Sequence, residues 1–303
     1  MIIAITGGSG FIGSLLVDKL LKQGNQVRLL SRKTQLKDVS VQYFLGDLSN
    51  PSVDLSDFLD GVDILYHCAG EINNKSLMQE LHVNATQRLV DAAQGKIGRW
   101  VQLSSVGAYG ACRDGVITED SEEQPFGVYE RTKTESDKIV INSGIPFVIL
   151  RPSNVFGVEM TNQSLFQLIS MINKGLFFYL GRKGALANYI AVEDVVEALF
   201  LCGNRDNALG EIYNLSQTIE IEKMVLSFSL GLGIEGRFLR LPEFPVRVLA
   251  KVFTIFSKLP LTTTRIDALT SRCIYKSNKI IEELNFEFKS TLEESFQLIA
   301  RKK

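Results

Sequence analysis

Two kinds of apolar pattern alternate along the first half of the chain. Ile2–Thr6, Gln26–Ser31, Val41–Leu45 and residues 63–68, 99–104 and 146–151 are short runs, apolar nearly throughout. A strand without in–out alternation is one buried on both faces, as in a parallel sheet covered by helices. Phe11–Lys22, 52–59, 77–94 and 128–142 instead repeat apolar residues every three or four positions; Leu81, Ala85, Leu89 and Ala92 line one side of the third of these. Strand and helix in turn predict a doubly wound parallel α/β sheet with right-handed crossovers. After residue 152 the rhythm loosens. Residues 165–173 and 193–202 read as helices, 211–215 as a strand returning to the sheet, and the remainder as mostly helical. No Pro/Gly/Ser-rich linker separates the halves, so the expected division, 1–157 and 158–303, is of two interwoven parts.

Composition narrows the class. The 303 residues suffice for one large domain or two ordinary ones, and a hydrophobic share of 45% with 22% charged is that of a soluble globular protein. Thirty-three basic and 34 acidic residues leave a net charge of −1, which offers no global attraction to nucleic acid or anionic lipid. Cys68, Cys112, Cys202 and Cys273 lie far apart without a C-x-x-C pair, and the presence of two histidines alone, His67 and His82, argues against a clustered metal site. The opening Met-Ile-Ile-Ala-Ile has no basic n-region and no uncharged run reaches membrane-spanning length, so neither a leader nor a membrane span is expected. The expectation is a reducing, cytoplasmic compartment.

The first candidate chemistry sits where the first strand meets the first helix. In Thr6-Gly7-Gly8-Ser9-Gly10-Phe11-Ile12-Gly13, the first glycine permits a tight turn, the second lets backbone approach a pyrophosphate, and the third lets helix and strand pack closely. The helix N-terminus offers free N–H groups to the anion. This predicts a Rossmann-type dinucleotide-binding half with a smaller, mostly helical substrate lobe. The end of the second strand selects the dinucleotide. NAD calls for a carboxylate there, but the chain has Ser31-Arg32-Lys33, with Asp38 the nearest acid. A guanidinium beside an ammonium suits the 2′-phosphate of NADP. NADP is therefore expected, with NAD as the alternative.

Tyr129 and Lys133 stand four apart at the start of the helix over 128–142, which puts phenol and ammonium on one face. A neighbouring cation lowers a phenol's pKa. Ser104-Ser105 leaves the fifth strand at its C-terminal end, the edge where open α/β sheets bind ligands. The competing reading of Ser105 is a turn-capping serine. Together with Asp47-Leu48, His67-Cys68-Ala69-Gly70, Asn84, Arg151-Pro152-Ser153-Asn154-Val155-Phe156-Gly157, Asn188 to Asp194 and Gly210 to Asn214, these motifs resemble the extended short-chain dehydrogenase/reductases. The likeness is to their NAD(P)-dependent epimerase/dehydratase branch and covers nearly the whole chain. Thr132 and Phe156 depart mildly from the usual serine and tyrosine.

The resemblance implies roles residue by residue. Gly7, Ser9, Gly10, Phe11, Ile12 and Gly13 would hold the pyrophosphate, and Ser31 and Arg32 the adenosine ribose. Asp47 would bond the adenine amino group and Leu48 pack on its ring. Cys68, Ala69, Gly70, Asn84 and Ser104 would lie along the cofactor. Lys133 would bridge the nicotinamide ribose and depress the Tyr129 pKa; Tyr129 would be the acid/base and Ser105 would orient the substrate oxygen. Pro152, Ser153 and Val155 would back the nicotinamide, with Asn154 facing a substrate diphosphate. His67 and His82 read as structural.

Residues 216–264 match no signature. Arg247, Lys251 and Lys258 share one face of a helix over 243–260, opposite Leu249, Phe253 and Phe256. The reading is a helix capping the substrate lobe, with surface contact to a membrane through 244–259 as the alternative. The stretch 259–294 resembles the tail of sugar-nucleotide 4-ketoreductases and epimerases, in which Arg265 or Arg272 would clamp a diphosphate. The resulting reading is a hydride-transferring 4-ketoreductase or 4-epimerase of a nucleoside-diphosphate hexose, forming a homodimer through the helices over 77–94 and 128–142. Its rivals are a carbonyl reductase or hydroxysteroid dehydrogenase-like enzyme, with Phe177-Phe178-Tyr179 and 253–256 lining an apolar pocket, and a non-catalytic NADP-sensing regulator.

Overall fold

The computed structural model describes residues 1–33, 40–160, 163–253 and 263–302, with backbone alone for 251–253 and 264. The first half runs β1 (Ile2–Thr6), α1 (Phe11–Lys22), β2 (Gln26–Ser31), β3 (Val41–Leu45), α2 (Ser56–Leu59), β4 (Val62–His67), α3 (Lys75–Met78), α4 (Ala85–Ala93), β5 (Ile97–Leu103), β6 (Asp114–Ile117), α5 (Val128–Ile141) and β7 (Phe147–Pro152). Then come β8 (Asn154–Phe156), α6 (Ser164–Asn173), β9 (Tyr179–Leu180), β10 (Leu186–Ala191), α7 (Val192–Asn204), β11 (Ile212–Leu215), β12 (Gln217–Glu220) and α8 (Ile221–Leu232). The chain ends with β13 (Arg240–Leu241), α9 (Glu243–Phe253), α10 (Thr263–Thr270), β14 (Arg272–Tyr275), α11 (Asn278–Leu284) and α12 (Leu292–Arg301).

Seven parallel strands, among the described residues, form one sheet in the order β3-β2-β1-β4-β5-β7-β11. The missing alternation in the sequence has its cause here. Ile3, Ile5, Tyr66, Val101 and Val148 join a core with Leu16 and Leu20 of α1 and Val195 and Leu199 of α7. Ala4, Leu65 and Trp100 enter a second core with Phe58 of α2, Leu89 of α4 and Val140 of α5. Both faces are covered, so successive side chains of the central strands β1, β4, β5 and β7 are buried nearly throughout. The strand order reverses between β1 and β4, and open α/β sheets bind their ligands at such a switch point, outside the carboxyl ends of the strands.

A separate core builds the second lobe, where Phe156, Phe177, Phe228 and Phe296 pack with Leu165, Ile169 and Met224. Phe177 thus belongs to packing and Tyr179 stands edge-on to it at 5.1 Å. Helix α9 caps this lobe, with Val246 and Ala250 against Leu180 and Ile266. Its Arg247 is not a free basic residue, because Glu243 and Asp267 take its guanidinium at 2.6 and 2.8 Å. Leu249 is exposed there. The side chains of Lys251 and Phe253, together with Lys258, Phe256 and Asp38, lie outside the described residues.

Several expectations need correcting. The helix over 77–94 is interrupted, with a π-helical turn at Gln79–Asn84 between α3 and α4. The spare apolar residues expected to pair two copies through α4 and α5 are mostly turned inward. Gln87, Asp91, Glu135 and Lys138 are exposed instead, so the apolar reason for a homodimer does not hold. Cys112 and Cys273 are joined in a disulfide, Cα–Cα 5.7 Å, across a sequence separation of 161. The short β6–β14 pair that aligns them carries no sequence signal. Absence of pairing therefore no longer argues for a reducing compartment. No helix among the described residues is long and apolar enough to cross a membrane.

Candidate active site

The glycine loop leaves β1 at the switch point. Gly7 has φ +71°, and a Cβ there would stand 2.6 Å from the backbone nitrogen of Ala69, so the loops after β1 and β4 touch only because residue 7 is glycine. A Cβ on Gly13 would meet the Gly7 carbonyl at 2.2 Å. Gly10 begins α1 without any side-chain cap, which leaves the first-turn N–H groups for an anion. At the ends of β2 and β3, Arg32 and Lys33 are exposed, and the Ser31 hydroxyl donates to the Lys33 carbonyl at 3.0 Å. The Ser49 hydroxyl and N–H bond Asp47 Oδ1 at 2.7 and 2.9 Å; these bonds, with Arg32 adding its field, hold that carboxyl below its ordinary pKa. Leu48 is buried beside them.

Helix α5 carries Tyr129 and Lys133, the acid/base pair the sequence predicts. Lys133 is buried and, among the described residues, makes one hydrogen bond, to the Leu103 carbonyl, leaving two donors for a ligand. Burial pushes its pKa down while Asp137 pulls it back up. The Ser105 Oγ accepts from the Gly107 N–H at 3.1 Å, so Ser105 caps the turn. Burial pushes the Tyr129 phenol up to about 12, the Glu130 and Asp137 carboxylates add to this, and the nearby Ser105 hydroxyl opposes it. This corrects the expectation of a phenol depressed by Lys133. Desolvation and the two carboxylates dominate, so the protein's own residues hold Tyr129 protonated.

Some expected residues turn elsewhere. The Ser104 hydroxyl donates to Asp137 Oδ2 at 2.6 Å, which ties it into the interior. Asn84 donates to Glu80 Oε2 at 2.7 Å on the surface. Asn154 is exposed and donates to the Asn188 carbonyl at 3.0 Å. Arg265 donates to Gln167 and Arg272 to the Lys183 carbonyl, so no direct bond brings this pair to Asn154 or Ser105. Phe11 lies against Gly157, where a Cβ would meet its ring at 2.9 Å. Asp137 was missed by sequence reading although its signal was present: it is one turn beyond Lys133 on the same face. It receives Arg151, whose Nε and one terminal nitrogen stand 3.2 and 3.1 Å from Oδ2.

These residues fit a dinucleotide. Besides the uncapped helix start and the spare Lys133 donors, the Ser153 hydroxyl is buried without a protein partner among the described residues. A polar group left that way is normally bonded to something, and Ser153 follows the strand end expected to back a nicotinamide.

Comparison with known proteins agrees with this geometry. The model of the NAD dependent epimerase/dehydratase family matches residues 3–216. A ketoreductase of 4-hydroxy-2-methyl-3-oxo-4-farnesyl-3,4-dihydroquinoline-1-oxide from Stigmatella aurantiaca is 28% identical over 232 residues, 72% of this chain and 69% of that one. The dTDP-6-deoxy-L-talose 4-dehydrogenase (NAD(P)(+)) of Kitasatospora kifunensis is 31% identical over 180 residues, 55% of this chain and 57% of its own length. The structure of UDP-glucuronic acid 4-epimerase from Bacillus cereus in complex with NAD superposes with TM-score 0.77 at 19% identity, covering 99% of this chain and 96% of that one. The chain belongs to the NAD dependent epimerase/dehydratase family.

Proposed function

We propose that the protein is an NADP(H)-linked reductase of a 4-keto nucleoside-diphosphate hexose. The observation that supports this is the partly buried Tyr129 phenol, held protonated near Ser105 at the start of α5. Reducing a ketone requires a proton donor, and a phenol held near 12 is one throughout the neutral range. A bound nicotinamide would supply the hydride. Ser105 would hold the ketone oxygen while Tyr129 donates, and Lys133 would bind the ribose diol. Gly7 to Gly13 would hold the pyrophosphate, Asp47 and Leu48 the adenine, and Ala69, Gly70, Pro152, Ser153 and Val155 the nicotinamide end. Residues 1–157 with 192–215 and 278–288 would form the dinucleotide half, and most of the remainder the substrate lobe.

The sugar-nucleotide class is supported by the Kitasatospora relative's named substrate. The Stigmatella relative, named for a farnesylated ketone, supports a second reading, an apolar carbonyl substrate. Incubation with NADPH and either a UDP-4-keto-6-deoxyhexose or an apolar cyclic ketone separates them. Loss of NADPH absorbance with the sugar nucleotide is expected; turnover of the apolar ketone alone would reject the first reading.

Cofactor choice is tested directly. Isothermal titration should give tighter binding of NADPH than NADH by about 10–100-fold, the equivalent of the roughly 1.5–3 kcal/mol carried by hydrogen bonds to a charged group. Arg32→Asp should reverse the order, since a carboxylate repels the 2′-phosphate and accepts from a 2′-hydroxyl. Equal affinities in the wild type would leave Arg32 as a surface residue.

A further inference from the structure

His82 joins two pieces of the candidate site that come from different elements. Its Nε2 accepts the backbone N–H of Glu71 at 2.8 Å, one residue past Gly70 in the loop leaving β4. Its Nδ1 lies 2.8 Å from Thr132 Oγ1 on α5. The Thr132 hydroxyl is within 2.9 Å of the Val128 carbonyl and 3.1 Å of that of Tyr129, groups that only accept. Thr132 therefore gives its one proton to a helix carbonyl and receives from His82 Nδ1–H. The Glu71 N–H only donates, so Nε2 carries no proton. Both ends require the same neutral tautomer.

The ring is held as tightly as its bonds suggest. His82 is 1% exposed and meets the Tyr129 ring edge-on, centroids 5.6 Å apart at 82°. A Cβ on Gly70 would lie 3.5 Å from Nε2, so the loop rests on the imidazole. The π-helical turn at Gln79–Asn84 widens the backbone where His82 must reach both partners, and such turns recur at functional sites. Burial, with the Lys133 charge adding to it, pushes the imidazole down to about 3, while Glu71 opposes.

We propose that His82 is a positioning residue that couples the loop 68–71, against which the dinucleotide would lie, to the orientation of Tyr129. This rests on the function proposed above. Two substitutions separate its two bonds. The His82→Gln amide oxygen can still accept from Glu71, whereas the His82→Asn amide nitrogen can still donate to Thr132.

The test measures NADPH affinity by titration without substrate, and kcat at saturating NADPH, on variants whose circular dichroism matches wild type. His82→Asn should weaken NADPH binding about three- to tenfold with kcat nearly kept, the size expected for one buried hydrogen bond. His82→Gln should keep NADPH affinity and lower kcat by a similar factor. Thr132→Val attacks the same bond from the other end and should reproduce the Gln result; it decides the matter if the position-82 variants do not fold. Equal losses of affinity and kcat in both His82 variants, or a Thr132→Val enzyme with wild-type kcat, would overturn the coupling and leave the function intact. A wild type that binds neither dinucleotide would overturn the function, and the coupling with it.

Discussion

Tyr129→Phe is expected to lower turnover by about 10²–10⁴-fold, the range contributed by a general acid or base, while NADPH affinity stays close to wild type. The phenol oxygen is the group through which the proton would pass, and its removal leaves the ring packed edge-on against His82. Cofactor contacts would fall to the glycine loop and Lys133, which the substitution does not touch. The acid is fully present below its pKa and lost as pH rises through it. With that pKa pushed up to about 12, the reduction rate should show no tyrosine limb between roughly pH 6 and 9. The oxidative direction needs the phenolate and should rise with pH over the same interval. Steady-state kinetics in both directions on wild type and variant check both points. A variant with near-normal turnover would mean that the proton takes another route, and would bring the NADP-sensing regulator forward.

The sequence was informative where one local pattern determines both structure and chemistry. β1, β2 and β3 are bounded as their apolar runs indicate, since each is short, unbroken and followed by glycine or a polar turn. The glycine spacing placed the loop at the start of α1, and the four-residue step from Tyr129 to Lys133 placed both side chains in the first turns of α5. What it could not give were facts that depend on packing. Nothing local distinguishes the Ser104 hydroxyl, bonded inward to Asp137, from that of Ser105 beside the phenol. The Tyr129 pKa depends on how much water is removed, and the one-turn neighbour Lys133 is a poor guide to that. Cys112 and Cys273 meet because β14 lies beside β6, a pairing of two four-residue strands with no periodicity to read. The break at Gln79–Asn84 is similarly silent, because Leu81, Ala85 and Leu89 keep helical spacing across it.

The buried charges beneath α5 should dominate stability. Arg151 is 1% exposed and Asp137 0%, paired at 3.1 Å, with Glu123 on the guanidinium and the Tyr109 ring under it at 5.2 Å. Arg151→Met removes the cation and leaves Asp137 with only the Ser104 hydroxyl and the nearby Lys133 for support. Breaking a buried pair from one side typically costs about 3–5 kcal/mol, because the remaining charge stays desolvated. Urea denaturation at neutral pH should show a loss of that size. Its pH dependence identifies the cause. Burial already pushes Asp137 above its ordinary pKa against the pull of Arg151, and without Arg151 it rises further. A carboxyl raised in the folded state destabilises in full above its folded pKa, and the penalty shrinks as pH falls below that value and is gone below the unfolded one. The gap between wild type and Arg151→Met should therefore narrow in mild acid. Arg151→Met with Asp137→Asn, which removes both charges, should recover much of the loss at neutral pH. A double variant no more stable than the single one would mean that Arg151 acts through its packing on Tyr109 rather than through the charge it neutralises.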